Sequence, residues 1–214
     1  MIQSVEIKVC GMTREQDVDL ALSLGADFLG FIVYPKSPRG LTLAQAARLA
    51  ARVPEGQRVV VDVEPSVDAL KSYRDAGFDR FQIHTGLPIS LPTVAAWSDV
   101  ARRERLWLAP RLSSEEVFPE CILEYADTVL LDTYSKQQVG GTGQTGDFKR
   151  FAGLKQQYAD AQWVLAGGLT PSNVIDAMTR SGTQHIDVNS GVESAPGIKD
   201  PEKLRELFRV LRVD

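Results

Sequence analysis

Two side chains capable of acid–base chemistry each stand at the end of an apolar run of the sequence. They are Cys10 and Asp132. A thiol with a lowered pKa can act as a base or a nucleophile. A carboxyl group closing an apolar strand is costly to bury without a partner and can serve as a general acid or base. The alternatives are a buried structural cysteine and, for Asp132, a helix or loop cap acting through Thr133.

Three glycine-rich segments could bind an anion or cover one. Gly167-Gly168 and Ser190-Gly191 follow two successive apolar runs near the C-terminus. Backbone N–H groups beside helix N-termini can converge on phosphate oxygens, and glycine permits a close approach, although each pair could also be a simple turn. The third segment contains Gly141, Thr142 and Gly143 and is typical of a lid loop over an anionic substrate.

Arg39 and His84 are candidate substrate contacts. A guanidinium group at Arg39 could hold a carboxylate through two parallel hydrogen bonds, and a solvated loop arginine is the alternative. His84 could contact a polar substrate or be a rim histidine with internal partners. His185, at the start of a predicted strand, is expected to be structural, and Cys121 is expected to lie mid-helix in the core.

Short apolar runs alternate with amphipathic stretches along the whole chain and must position these residues. The predicted strands are Val5–Cys10, Asp27–Val33, Arg58–Val63, Asp79–His84, Leu106–Arg111, Asp127–Asp132, Trp163–Ala166 and His185–Ser190. The predicted helices are Arg14–Leu24, Thr42–Arg52, Ser66–Ala76, Leu91–Arg103, Ser114–Tyr125, Phe148–Tyr158, Pro171–Arg180 and Pro201–Leu211. Eight alternating units favour an α/β fold, a closed (β/α)8 TIM barrel, over an open sheet of five or six strands.

Two helix starts carry recognisable caps in the sequence. Thr13 with Gln16 three residues later predicts a capping box, and Thr170 before Pro171 predicts a cap residue followed by proline at the first helical position. In a barrel of this kind, reactive groups lie at the C-terminal ends of the strands and in the loops that follow. The candidate residues above occupy those positions, whereas His185 belongs to the opposite end.

Composition narrows the class of protein further. The 214 residues predict one domain, 1–214, with about 27 residues per βα unit and no room for insertions. A net charge of -4 offers no basic excess for nucleic acid or an anionic membrane. No run approaches the ~18 apolar residues of a membrane span. Two cysteines form neither a disulfide framework nor a metal-ligand spacing, and no signal peptide is evident, so we expect a cytoplasmic protein without a metal.

Taken together and in order, these motifs resemble the phosphoribosylanthranilate isomerases of tryptophan biosynthesis. The resemblance rests on Lys8–Arg14, Gly25–Phe31, Ser37–Arg39, Leu131-Asp132, Gly140–Gly143, Leu165–Leu169 with Pro171 and Asn173, and Asp187–Glu193. It runs nearly end to end. It implies a (β/α)8 barrel that catalyses an Amadori rearrangement of a small phosphorylated sugar without a cofactor. For the oligomeric state we expect a monomer or a homodimer.

The resemblance also implies roles for individual residues. Cys10 would be the general base, Asp132 the general acid and Arg39 the residue that holds the substrate. The loops at Gly167-Gly168 and Ser190-Gly191 would bind its phosphate. Because the acid must start protonated and the base deprotonated, we expect the site to shift their pKa values in opposite directions from about 3.9 and 8.5.

The sequence departs from the family pattern at the rim and the lid. Thr85, Arg111, Gln144 and Gly146 stand where the family usually has a glycine, a lysine, a basic residue and an aromatic residue. These departures concern substrate affinity and lid closure rather than the type of reaction. The alternatives are the related histidine-pathway phosphoribosyl isomerase, a bifunctional isomerase, and a non-catalytic phosphosugar-binding barrel. Cys10 disfavours the first, since that isomerase has an aspartate at the same place.

Barrel closure leads to one further prediction. The first and eighth strands of a closed barrel are neighbours, and alternation places Lys8 and Asp187 on faces that point into the lumen. A lone buried charge is costly, so each needs a partner. We therefore predict that Lys8 and Asp187 form a buried ion pair or share a hydrogen-bond network.

Overall fold

Eight parallel strands close into a barrel in the computed structural model, which describes residues 5–113, 115–132 and 147–212. The strands are β1 (Glu6–Val9), β2 (Phe28–Ile32), β3 (Arg58–Val63), β4 (Arg80–Thr85), β5 (Leu106–Pro110), β6 (Thr128–Asp132), β7 (Gln162–Ala166) and β8 (His185–Val188). Each strand pairs with the next, and β8 pairs with β1 with Lys8 opposite Asp187. The predicted barrel fold is confirmed.

Seven α-helices accompany the strands in the described ranges. They are α1 (Glu15–Ser23), α2 (Leu43–Ala50), α3 (Val67–Asp75), α4 (Leu91–Ala101), α5 (Phe148–Gln157), α6 (Val174–Ser181) and α7 (Pro201–Leu211). Where their sequences show apolar residues at helical spacing, these residues are the buried ones, as at Leu204, Leu207, Phe208 and Leu211 of α7. None of these helices is long and apolar enough to cross a lipid bilayer.

The predicted helix at Ser114–Tyr125 is wrong. In its place the described residues form only a 3-10 turn at Glu120–Glu124. Pro119 explains the difference, because a proline inside a helix removes an N–H donor and clashes with the preceding turn. Cys121 lies in this 3-10 turn, partly buried against the core, so its core packing is confirmed but its helical setting is not.

The start of α6 also differs from the prediction. Thr170 does not cap a helix that begins at Pro171; α6 begins at Val174. The Asn173 side chain accepts a hydrogen bond from the Thr170 N–H (2.8 Å) and donates one to the carbonyl of Gly168 (3.0 Å). These two bonds hold residues 170–173 in a turn, which delays the helix by three residues.

A short antiparallel hairpin after β8 was not predicted. It comprises β9 (Glu193–Ala195) and β10 (Ile198–Lys199), joined through Gly197 at a φ of +79°. The Thr13 hydroxyl donates to the carbonyl of Gly197, whereas α1 has no side-chain cap. The predicted capping box at Thr13 is therefore wrong, and Thr13 ties the hairpin to the start of α1 instead.

Apolar side chains pack on both faces of the barrel wall. On β3, Val59 and Val61 point into the lumen of the barrel and Val60 points towards the surrounding helices, as strand alternation requires. At the N-terminal end the lumen is filled by aromatic rings, where His185 packs 5.7 Å from Phe28 and 5.2 Å from Trp107 between ring centroids. His185 thus lies at the end of the barrel away from Cys10, as predicted. The C-terminal end of the lumen is lined by both polar and apolar side chains.

Candidate active site

The C-terminal ends of the strands border a cavity of about 180 Å³. Its lining includes every predicted site residue in the described part of the chain: Cys10, Arg39, His84, Asp132, Gly167, Gly168, Ser190 and Gly191. These residues come from six strands and the loops after them, so barrel closure alone brings them together. The predicted lid residues Gly141, Thr142 and Gly143 lie outside the described residues.

Cys10 and Asp132 reach this cavity from different sides of the barrel. Cys10 directly follows β1 and is 3% exposed, whereas Asp132 ends β6 and is exposed at the rim. Strands β7 and β8 separate the two. A substrate in the cavity would therefore meet a thiol deep in the barrel and a carboxyl group at its mouth.

Lys8 lies beneath Cys10 on the same face of β1. Its side chain is fully buried, and its Nζ donates to Asp187 Oδ1 at 2.9 Å, which confirms the predicted ion pair. The neighbouring β2 residue is Gly30, where a Cβ would lie 2.8 Å from Cys10 Sγ and 2.9 Å from Lys8 Nζ. The absence of a side chain at Gly30 allows the sulfur and the ammonium to occupy the same small space.

The electrostatics of Cys10 differ from the prediction. Burial raises the pKa of the Cys10 thiol, and this outweighs the opposing effect of the Lys8 ammonium; the carboxylate of Asp187 adds to the increase. The expected lowering of the Cys10 pKa is therefore wrong: its surroundings in the barrel raise this pKa above the usual value. Burial depends on the packing of the whole barrel, and it could not be derived from the first strand alone.

Arg39 is held in place by an acidic partner. Its Nε lies 2.9 Å and 3.1 Å from the two carboxylate oxygens of Glu193, and its Nη2 lies 2.5 Å from Oε2. Glu193 also accepts a hydrogen bond from Lys199 Nζ at 3.0 Å, and both of these side chains are buried. The alternative of a solvated loop arginine is wrong.

Sequence reasoning missed Glu193 and Lys199 as parts of this site. Glu193 is the last residue of the family-like segment Asp187–Glu193, and the signal that could have identified it is a carboxylate two residues after a predicted phosphate-binding glycine. Lys199 gave no such signal, because it depends on the hairpin that returns it to the Asn189 side chain, 3.0 Å from its Nζ.

His84 is a neutral group in this site. Burial, followed by the positive charges of Lys8 and Arg111, lowers the pKa of His84 to about 4. Its Nε2 lies 3.0 Å from the side-chain nitrogen of Gln82, a buried lumen residue that sequence reasoning also missed. At neutral pH the His84 and Gln82 side chains can donate hydrogen bonds to a ligand or accept them from it, but they contribute no positive charge.

The two predicted phosphate loops touch each other directly. Gly167 and Gly168 have φ values of +102° and +62°, which favour glycine. A Cβ on Gly191 would lie 1.8 Å from the carbonyl oxygen of Leu169. Only glycine allows the loop after β8 to approach the loop after β7 this closely, and both line the same cavity. Across the described ranges, this site included, no group of three or more His, Cys, Asp or Glu side chains could hold a metal ion.

Comparison with known proteins gives a consistent result over the whole chain. The family model for N-(5'-phosphoribosyl)anthranilate (PRA) isomerase matches residues 7–210. The chain is 35% identical to the N-(5'-phosphoribosyl)anthranilate isomerase of Cereibacter sphaeroides, with 97% of this chain and 99% of that protein covered. It is 38% identical to the enzyme of the same name from Bordetella pertussis, with 96% and 95% covered.

Solved structures agree with the sequence comparison. The crystal structure of TrpF from Jonesia denitrificans has a TM-score of 0.77 and 33% sequence identity, with 98% of this chain and 97% of that chain covered. A phosphoribosyl anthranilate isomerase in complex with reduced 1-(o-carboxyphenylamino)-1-deoxyribulose 5-phosphate has a TM-score of 0.74 and 25% identity, with 97% and 98% covered.

Proposed function

Because the chain belongs to the N-(5'-phosphoribosyl)anthranilate isomerase family, we infer that it catalyses the isomerisation of N-(5-phosphoribosyl)anthranilate. The product is 1-(2-carboxyphenylamino)-1-deoxyribulose 5-phosphate, and the step belongs to tryptophan biosynthesis. The observation that carries this inference is the family match over residues 7–210, whose strand ends border the cavity described above. The comparisons offer no support for the histidine-pathway, bifunctional or non-catalytic alternatives.

The acid and the base of the reaction are assigned to Asp132 and Cys10. Asp132 protonates the furanose ring oxygen, which opens the aminal to a Schiff base. Cys10, as a thiolate, then removes the proton from the adjacent ribose carbon and gives an enolamine that tautomerises to the ketone. The position of Asp132 at the rim and of Cys10 deep in the barrel supports this division, since one group must reach the ring oxygen while the other reaches the carbon.

The remaining site residues bind and orient the substrate. Backbone N–H groups of Gly167-Gly168 and Ser190-Gly191 hold the phosphate, and His84 makes a neutral polar contact. Arg39, oriented by Glu193, holds the anthranilate carboxylate. Binding energy from the phosphate fixes the ribose between acid and base. A phosphorylated small molecule as the partner, a cytoplasmic location and a monomer or homodimer stay predictions, as does the absence of a cofactor.

Substitution of the two catalytic residues tests this assignment. We expect Cys10→Ser and Asp132→Asn each to lower kcat by about 10²–10⁴-fold, because that is the usual contribution of a positioned acid or base. The assay is the loss of substrate fluorescence with purified protein. Cys121→Ser, which changes the other cysteine, is the matched control and should keep full activity. Full activity in either catalytic variant would remove that residue from the mechanism.

A further inference from the structure

We propose that the buried Lys8–Asp187 pair is a positioning device for the reaction: it fixes an ammonium charge beside Cys10 so that the thiolate can form in the closed lumen. The proposal rests on the proposed function, since it assumes that Cys10 acts as the base. It gives a role to Lys8, whose ammonium lies close to the proposed base at the position of Gly30.

The pair is poorly explained by stability alone. Lys8 and Asp187 face each other across the β1–β8 seam, 2.9 Å apart and almost fully buried. Burying two charges costs several kcal/mol per ion, and well-packed apolar residues of similar size often stabilise a fold equally well or better. A pair of neutral side chains could also pack between β1 and β8. Stability therefore does not explain why these two side chains are charged.

The positions of Lys8 and Cys10 on β1 place the Lys8 ammonium close to the Cys10 sulfur. Lys8 and Cys10 are two residues apart on β1 and therefore share its lumen face. The space at Gly30 holds both the Cys10 sulfur and the Lys8 ammonium, and the positive charge of Lys8 lowers the pKa of Cys10 against the larger effect of burial. Although burial works in the other direction, Asp187 and Cys10 raise the pKa of Lys8, so its ammonium stays charged.

Other charged groups near Cys10 are less suited to this task. From β10, Lys199 also lowers the pKa of Cys10, but less than Lys8 does. Arg39, after β2, is bonded to Glu193. Asp187 itself disfavours the thiolate, and without Lys8 it would be a bare carboxylate next to it. Lys8 therefore supplies the main opposing charge.

The decisive measurement is the pKa of the Cys10 thiol, which does not require turnover. The chain has two cysteines, so a Cys121→Ser background leaves Cys10 as the sole thiol. Its ionisation is followed by the pH dependence of alkylation with iodoacetamide and, independently of reagent access, by the ultraviolet absorbance of the thiolate. In this background we expect Lys8→Met to raise the thiol pKa so that thiolate at a fixed pH falls at least about tenfold.

A second variant keeps the test valid if Lys8→Met fails to fold. The double substitution Lys8→Gln/Asp187→Asn removes both charges but retains hydrogen-bonding groups across the seam. It should raise the Cys10 pKa as well, and the acidic limb of its kcat/KM profile should move by the same amount. Lys71→Met, an exposed lysine on α3, is the matched control and should leave both unchanged.

The outcomes separate this proposal from the proposed function. A folded double variant whose Cys10 titrates as in the unsubstituted protein would overturn the role of Lys8, even if Cys10→Ser remained inactive. If the thiol pKa moves but Cys10→Ser keeps full activity, the electrostatic coupling stands and the assignment of Cys10 as the base falls. In that case the Lys8–Asp187 pair would have no role in the reaction, and this proposal would be overturned together with the assignment of Cys10.

Discussion

At the scale of single residues, Gly30 provides a sharp test of the site. A Cβ there would lie 2.8 Å from Cys10 Sγ and 2.9 Å from Lys8 Nζ, distances that side chains must relieve by moving. We expect Gly30→Ala to displace the proposed base, lowering kcat at least about tenfold, and to cost about 1–3 kcal/mol of stability through overpacking. Steady-state kinetics and urea unfolding measure the two effects.

The control for this change is Gly153→Ala in α5. A Cβ at Gly153 meets nothing within 4 Å, and its helical setting favours alanine over glycine by about 0.5–1 kcal/mol. This variant should keep full activity and be slightly more stable. If Gly30→Ala turned over substrate as fast as Gly153→Ala, the close packing of Cys10 and Lys8 would have no catalytic importance.

Residue types at strand ends could be predicted from the sequence, but their partners could not. Cys10, Asp132 and Arg39 follow apolar runs, and any residue that follows a barrel strand reaches the same mouth. The bonding of Arg39 to Glu193 spans 154 positions in the chain and depends on a hairpin with no sequence pattern of its own. The Lys8–Asp187 contact was predictable because strand alternation and barrel closure are enough to place both residues.

At the scale of elements, the hairpin β9–β10 connects the site to α1. Asp17 of α1 is buried and accepts hydrogen bonds from Arg14 Nε (2.9 Å) and Nη2 (2.7 Å) and from the Lys199 N–H (3.1 Å). We expect Asp17→Ala to cost about 3 kcal/mol, because it leaves the buried Lys199 N–H without an acceptor and removes two hydrogen bonds from Arg14, which keeps only its bond to the Lys199 carbonyl. The loss should be measured by urea unfolding.

Asp19, two residues further along α1, is the matched control for this prediction. It is exposed and pairs with Arg52 at 2.6 Å, a type of surface ion pair that contributes little to stability. Asp19→Ala should therefore unfold close to the unsubstituted protein. Because Lys199 also contacts Glu193, Asp17→Ala should raise KM as well, and an equal effect of both substitutions would show that the hairpin is not anchored through α1.

Boundaries of helices and strands that follow from the local apolar pattern could be predicted from the sequence. Boundaries set by a proline, or by a side chain that bonds to the backbone, could not. Strand β3 and helix α7 have the predicted limits, because each is a long, strongly patterned run with clear ends. The apolar spacing in Ser114–Tyr125 indicated a helix, but Pro119 prevents it. At α6, the side chain of Asn173 bonds back to the preceding turn and delays the helix start.

At the scale of the whole molecule, the net charge does not attract an anion, and only groups within the site can do so. The net charge is -4, so the overall field repels an anionic substrate. Attraction must therefore come from Arg39, from backbone N–H groups of the glycine loops and from the charged lysines inside the barrel. Both histidines of the chain belong to this interior, one at each end, and both are held neutral by burial.

The two buried histidines make the barrel sensitive to acid. Burial, followed by the charge of Lys8, lowers the pKa of His84 and of His185 to about 4 in each case, against about 6.5 in an unfolded chain. Between these values the unfolded state binds more protons, so stability is fully present above about pH 6.5 and is lost as the pH falls towards 4. Each histidine accounts for up to about 3 kcal/mol of this loss.

His185 allows this loss to be measured away from the proposed active site. His185→Gln removes one titrating group among the rings of Phe28 and Trp107, so its free energy of unfolding should depend less steeply on pH between about 6.5 and 4. The comparison with the unsubstituted protein cancels the carboxylates that titrate in the same range, except Glu6, whose Oε2 lies 3.3 Å from His185 Nδ1. A Glu6→Gln background removes that coupling. Identical slopes with and without His185 in this background would show that the barrel does not hold the imidazole neutral.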